Sequence, residues 1–249
     1  MAFTNPVIVG GGPSAQSIRE AVTDARHLVG TIGEFPDGRK FRYASSTSSS
    51  ALDVAQPCMS EAVGANFTNI SLSAAAAIGA TSVAVTLGGS ETVAKDALSG
   101  GYLVVNDGTG QGYTYTIRGN AAVAAVAALT VELAEEIVVA LGASGTSQVT
   151  VVKNRWAELT EAAAGHVHFS AGWPQLAVPA GNTNTQYFWV QTKGINGAEA
   201  DASTAVGASL QSGATAGQVE VGDGAAQYIG TQLVTGVATE YNPIDAAID

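Results

Sequence analysis

Charge is scarce in this chain, and basic charge is scarcest. Only 12% of the 249 residues are Asp, Glu, Lys or Arg, about half the share usual in soluble domains. Ten basic residues face 21 acidic ones, for a formal net charge of −11. Such a balance excludes a surface built for nucleic acid, which needs clustered Lys and Arg to displace counterions. Beyond Lys193 no Lys or Arg occurs at all, against seven carboxylates (Glu199, Asp201, Glu220, Asp223, Glu240, Asp245 and Asp249). Cys58 is the single cysteine, so an intrachain disulfide is excluded. Aromatics make up 6%. No run approaches the roughly 18 apolar residues of a membrane span, and the first residues lack a charged-then-apolar leader pattern. The expectation is a chain made and kept in the cytoplasm, or leaving it inside a particle.

What is abundant is small. Hydrophobic residues reach 46%, much of it Ala and Val, and there are 30 glycines. Small side chains lose little rotamer entropy when a surface becomes ordered, which suits assembly into a lattice.

Along the chain, Val7-Ile8-Val9 precedes three glycines. Ser17 and Glu20 then form an S-x-x-E capping box. Behind it Ile18, Ala21, Val22, Ala25, Leu28 and Val29 fall at helical spacing, predicting one short amphipathic helix over 17–29. Pro36-Asp37-Gly38 reads as a β-turn in a hairpin, with Phe41 and Tyr43 on one strand face and Lys40 and Arg42 on the other. Residues 45–50 read as a polar linker.

From about 67 onward a two-residue rhythm dominates. Val83, Val85 and Leu87 alternate with polar or small residues. So do Tyr113, Tyr115 and Ile117, then Leu129, Val131 and Leu133, and finally Val149 and Val151. Glycine turns separate these segments. The prediction is a mainly β protein of small barrel or sandwich domains with an extended amino-terminal arm. Its expected divisions are 1–50 (arm, helix and hairpin), 51–152 (central β domain) and 153–249 (carboxy-terminal β domain).

Few motifs carry chemistry. Gly10-Gly11-Gly12-Pro13-Ser14-Ala15 fits G-x-G-x-x-A after an apolar run, the pattern that brings a dinucleotide pyrophosphate to a helix start, and Glu34 lies near the place of the ribose-binding acid. A Pro-Asp-Gly hairpin stands where the next crossover belongs, so an extended arm is the preferred reading and no cofactor is expected. His166-x-His168 puts two imidazoles on one strand face, yet neither His27, Cys58 nor a carboxylate completes metal-site spacing, and no metal is expected. Cys58 lies in no recognisable thiol-enzyme context, and no G-x-S-x-G elbow occurs. Glu135-Glu136 and Glu158 with Glu161 read as solvated carboxylates. Trp156, Trp173 and Trp189 suit a core or an interface, with sugar stacking as the alternative use. No enzymatic activity is expected.

Several segments resemble the virion proteins of tailed phages. They are Phe35 to Tyr43; Gly100 to Gly108 with Gly110-Gln111-Gly112-Tyr113; and Tyr187 to Gly194. The run Val206-Gly207-Ala208-Ser209-Leu210, with Ala216-Gly217 and Ile229 to Leu233, is similar to the small β-barrel of head-decoration proteins. The resemblance implies a cement protein on the outer face of an icosahedral head, trimeric, bound to the major capsid protein through its amino-terminal arm, and without catalytic residues. Under that reading Phe35, Arg39, Lys40, Phe41, Arg42, Tyr43, Trp173 and Trp189 are the candidate interface residues. A head-fibre or tail-associated adhesin that binds host glycan is the alternative, and a flavin- or nicotinamide-dependent oxidoreductase a distant one. Neither a nucleic-acid nor a membrane partner is expected.

Overall fold

The computed structural model describes residues 16–46, 51–89, 91–124, 128–164, 169–180, 184–224 and 226–249. Its strands in chain order are β1 (Ile32–Glu34), β2 (Lys40–Ser46), β3 (Cys58–Ser60), β4 (Ile70–Ser71), β5 (Ser82–Thr86), β6 (Tyr102–Gly108), β7 (Thr114–Asn120) and β8 (Ala128–Leu133). There follow β9 (Ser147–Val152), β10 (Thr160–Glu161), β11 (Phe169–Pro174), β12 (Gln186–Glu199), β13 (Ser209–Ser212), β14 (Val219–Val221), β15 (Gly230–Gln232) and β16 (Tyr241–Ala247). The protein is mainly β, as the two-residue rhythm predicts.

The chain divides into two compact units, and one interrupts the other. Val63–Asn154 forms the first; the second is built from the segment ending at Ala62 together with Arg155–Asp249. Sequential domains at 51–152 and 153–249 were the expectation. An insertion is found instead, and its boundaries follow from pairing. β3 and β10 are antiparallel neighbours, Met59 opposite Thr160 and Cys58 opposite Glu161, so the chain leaves and rejoins the second unit on adjacent strands.

In the inserted unit six antiparallel strands run in the order β4-β9-β6-β7-β8-β5. Leu72, directly after β4, bridges back to Val85 of β5, so the sheet nearly closes into a barrel. Alternation decides what lies inside. Val83 and Val85 on β5 face their β8 partners Val131 and Leu129, and all four are buried. Leu103, Val105, Tyr115, Ile117, Val149 and Val151 complete the filling, while Ser82, Thr114 and Glu132 point to solvent.

The second unit is a ten-stranded antiparallel sheet with the path β10-β3-β11-β12-β16-β15-β13-β14, and β2 joins it at β12. β12 is its spine: the first half pairs with β2 and β11, and the second half, Lys193 to Glu199, with β16. The two ends of the path meet where the Gly217 amide donates to the Ala162 carbonyl at 3.0 Å.

Two expectations for the first fifty residues are corrected. Residues 17–29 are turns and a single bridge, not a helix. The capping-box bond does form, since Glu20 accepts from the Ser17 amide at 3.4 Å. The helix does not propagate because its backbone groups are used elsewhere. Val22 exchanges both main-chain bonds with Tyr187, and the Arg26 amide donates to the Tyr43 hydroxyl. Nor is the hairpin part of a free arm. β2 pairs with β12 from Gln186↔Ser46 to Lys193↔Lys40, and Phe41, Tyr43 and Trp189 form one buried cluster. The polar linker expected at 45–50 begins inside the sheet: Ser45 and Ser46 are buried members of β2. Residues 47–50 lie outside the described residues.

Because β3 and β10 already stand side by side, replacing 63–154 by a short Gly/Ser turn should leave the second unit folded. Its β-sheet circular dichroism and a cooperative melt are the measure. Trp189→Ala, which empties the centre of the aromatic cluster, should cost about 3–5 kcal/mol in denaturant unfolding.

Candidate binding surfaces

The eight residues singled out from the sequence divide by burial. Phe41, Tyr43, Trp173 and Trp189 are fully buried, which takes them out of any surface role in this chain. Trp189 and Tyr43 meet edge to face at 5.1 Å, Tyr187 stacks on Tyr43 at 6.2 Å, and His27 closes the cluster at 5.1 Å from Tyr43. Trp173 belongs to a separate core with Leu210, Ile229 and Ile244. Consecutive residues on a strand point to opposite faces, and here both faces are covered. Sugar stacking on Trp173 or Trp189 is therefore excluded without unfolding.

Phe35, Arg39, Lys40 and Arg42 remain partly exposed. The Arg39 guanidinium lies 5.0 Å from the Phe35 ring and 5.8 Å from Phe41, and pairs with Asp37 at 2.8 Å. That hydrogen bonding, from the Arg39 backbone and side chain, holds the Asp37 carboxyl below its ordinary value. Arg42 stacks over Trp156 at 4.4 Å, pairs with Asp249 at 2.5 Å and donates to the Gly30 carbonyl. Arg39 thus ties the hairpin to itself, and Arg42 holds it to its surroundings. Beside them, Asp37, Arg39, Lys193, Ile195 and Asp245 line an open groove of about 520 Å³.

The reactive groups are spent on structure. Cys58 is buried, donates its thiol to the Gly172 carbonyl at 3.0 Å, and is pushed by burial up to about 12, so it stays a neutral thiol at pH 7. Partial burial, then the neighbouring Arg26 charge, lowers the pKa of His27. Gly10 to Ala15, His166 and His168 lie outside the described residues. Glu34 sits in β1 of an antiparallel hairpin rather than at the end of a parallel strand. Among the described residues no group of three His, Cys, Asp or Glu is arranged to hold a metal, and no helix is long and apolar enough to cross a membrane.

Of the carboxylates, Glu135 accepts from the Thr116 amide at 2.8 Å. Glu161 is more informative. Partial burial, then the charges of Asp53 and Glu199, raise its pKa. Glu199 itself accepts from Gln56 at 3.0 Å and Gln218 at 2.8 Å.

Sequence reasoning missed a different surface. Large apolar side chains stand exposed at Val206, Val221, Tyr228, Leu233, Val234, Val237 and Tyr241, all in the stretch without a basic residue. Nothing in the linear pattern marked these positions, because only the packing of the sheet decides which apolar side chains are left outside it.

With this geometry the described residues form a two-unit antiparallel β protein. No family model, curated protein or solved structure matches it.

A carboxyl whose folded pKa is raised stabilises the fold at low pH, and that contribution is lost as pH rises through the unfolded and then the folded value. Glu161→Gln should therefore melt higher than the parent at pH 7 and lose the advantage near pH 4. Thermal melts across that range measure the difference, which is small because the side chain is mostly exposed.

Proposed function

We propose that this protein is a virion structural protein of the capsid-decoration type, which binds the outer surface of an icosahedral phage head and stabilises it. The virion assignment comes from the resemblance of Phe35 to Tyr43, Gly100 to Tyr113, Tyr187 to Gly194 and Val206 to Leu233. The observation that supports a binding role is the exposed apolar set between Val206 and Tyr241, in a stretch with no Lys or Arg. Where such side chains stand on neighbouring segments, as Val206, Leu233 and Val234 do on 204–207 and 232–236, they mark an interaction site.

The mechanism is adhesive. Each copy buries apolar surface across a seam between capsid subunits, and many copies on one shell act together, so modest single contacts add up to a stable lattice. The major capsid protein is the partner, and trimers are the assembly state the resemblance implies. The folded hairpin changes how the amino terminus enters this reading: Phe41 and Tyr43 serve the fold and not a docking arm. A glycan-binding adhesin is the second reading. Its support from Trp173 and Trp189 is gone, since both are buried.

Co-sedimentation tests the proposal. The purified protein mixed with intact tailed-phage heads or capsids should pellet with them in saturable, stoichiometric amounts and raise their resistance to heat. A protein that stays in the supernatant at micromolar concentration, with shells no more stable than before, rejects the reading.

A further inference from the structure

We infer that the turn joining β15 to β16 is a docking surface for a different protein, whose contact region has an apolar centre and a rim of Lys and Arg. The inference deepens the capsid-binding reading, on which its choice of occupant rests.

The surface assembles from two segments. Thr204 and Gly236 exchange both main-chain hydrogen bonds, and the Gly207 amide donates to the Gln232 carbonyl at 2.8 Å. Residues 204–207 and 232–236 therefore run side by side. Four large apolar side chains on them or next to them face solvent: Val206 is 62% exposed, Leu233 40%, Val234 42% and Val237 49%. Nothing in the fold requires apolar residues at these positions. Four within one paired turn form a cluster, unlike apolar residues scattered singly over a surface.

Two further observations fall in the same turn. Thr239 adopts φ 63°, a left-handed conformation costly for a β-branched residue. Beneath the turn, Gln232 is 1% exposed and Thr204 3%, yet neither side-chain amide atom of Gln232 nor the Thr204 hydroxyl has a hydrogen-bond partner. Strain and unsatisfied polar groups that the fold does not need collect at functional segments.

Charge selects the occupant. Exposed Glu240 ends the same turn: the Ala200 amide donates to its carbonyl, and the Thr239 amide donates to the Ala200 carbonyl. No Lys or Arg lies anywhere in 194–249. A second copy docking symmetrically through this patch would bring the same acidic rim against itself. A partner with a basic rim is attracted to it and closes over the apolar centre.

The test uses the full chain carrying Val234→Ser and Val237→Ser together, which removes apolar area at constant charge. Ile78→Ser in the inserted unit is the control. Two bindings are measured: to the capsids used above, and to a fluorescently labelled peptide of alternating Lys and Leu, by anisotropy at low and at physiological salt. Expected is at least a tenfold loss in either binding for the double variant, none for the control, weakening by salt, and an unchanged melt. Equal binding by parent and double variant in both measurements overturns the docking surface while leaving capsid binding by the parent intact. Capsids that ignore the parent, with a patch-dependent peptide, overturn the capsid reading and leave the surface standing; failure of both bindings overturns both. Sedimentation velocity showing self-association that the double variant abolishes assigns the patch to a second copy and overturns the inference.

Discussion

Strand β12 has to satisfy three cores at once, and the second unit depends on it. Phe188 and Val190 enter one cluster, Trp189 enters the aromatic cluster on the opposite face, and Ala198 reaches a third core alongside Trp173 and Ile244. Its pairing with β2 is what holds these assignments. A slip of one residue would turn Trp189 out and Phe188 under the wrong neighbours, because side chains alternate with a period of two. The register shifts between Gln191 and Lys193, where β12 changes partners. There the buried Gln191 amide donates to the carbonyls of Lys193, Gly194 and Ile195, and Gly194 takes φ 88° against Arg39. One buried amide thus supports the place where a long strand bends from one core to the next.

That division of labour shapes what the exterior offers. Phe41, Tyr43, Trp173, Trp189, the thiol and His27 are drawn into packing. The outer side of the second unit carries apolar residues on turns and carboxylates beside them. Such a surface gains by being covered. An adhesive role on a repeating shell is consistent with it, since each contact need supply only part of the stability that many copies share.

The inserted unit shows how much local pattern can specify. Val83 to Leu87 and Leu129 to Leu133 alternate strictly, each strand has one wet and one dry face, and glycine turns mark the ends. Residues 17–29 show the opposite. Helical spacing and a capping box are both there, but a helix of that length gains most of its stability from packing. Strand β12 offered Val22 a pairing partner and Tyr43 offered Arg26 an acceptor, and those contacts won. Aromatics misled in a related way: Phe41, Tyr43, Trp173 and Trp189 looked suited to an interface because nothing in a linear pattern says how many strands will cover them.

The chain by itself determined the β class, the inward faces of the inserted barrel and the hairpin at Pro36 to Gly38, since each rests on neighbours a few residues apart. It also carried the absence of basic residues after Lys193. Only the tertiary structure decided that one unit interrupts the other, that the amino-terminal hairpin belongs to the sheet and that Trp173 and Trp189 are interior. Those outcomes depend on pairings such as Tyr43 with Trp189 and Met59 with Thr160. Contacts that distant in sequence are chosen by the joint burial of several strands, a quantity no single segment contains.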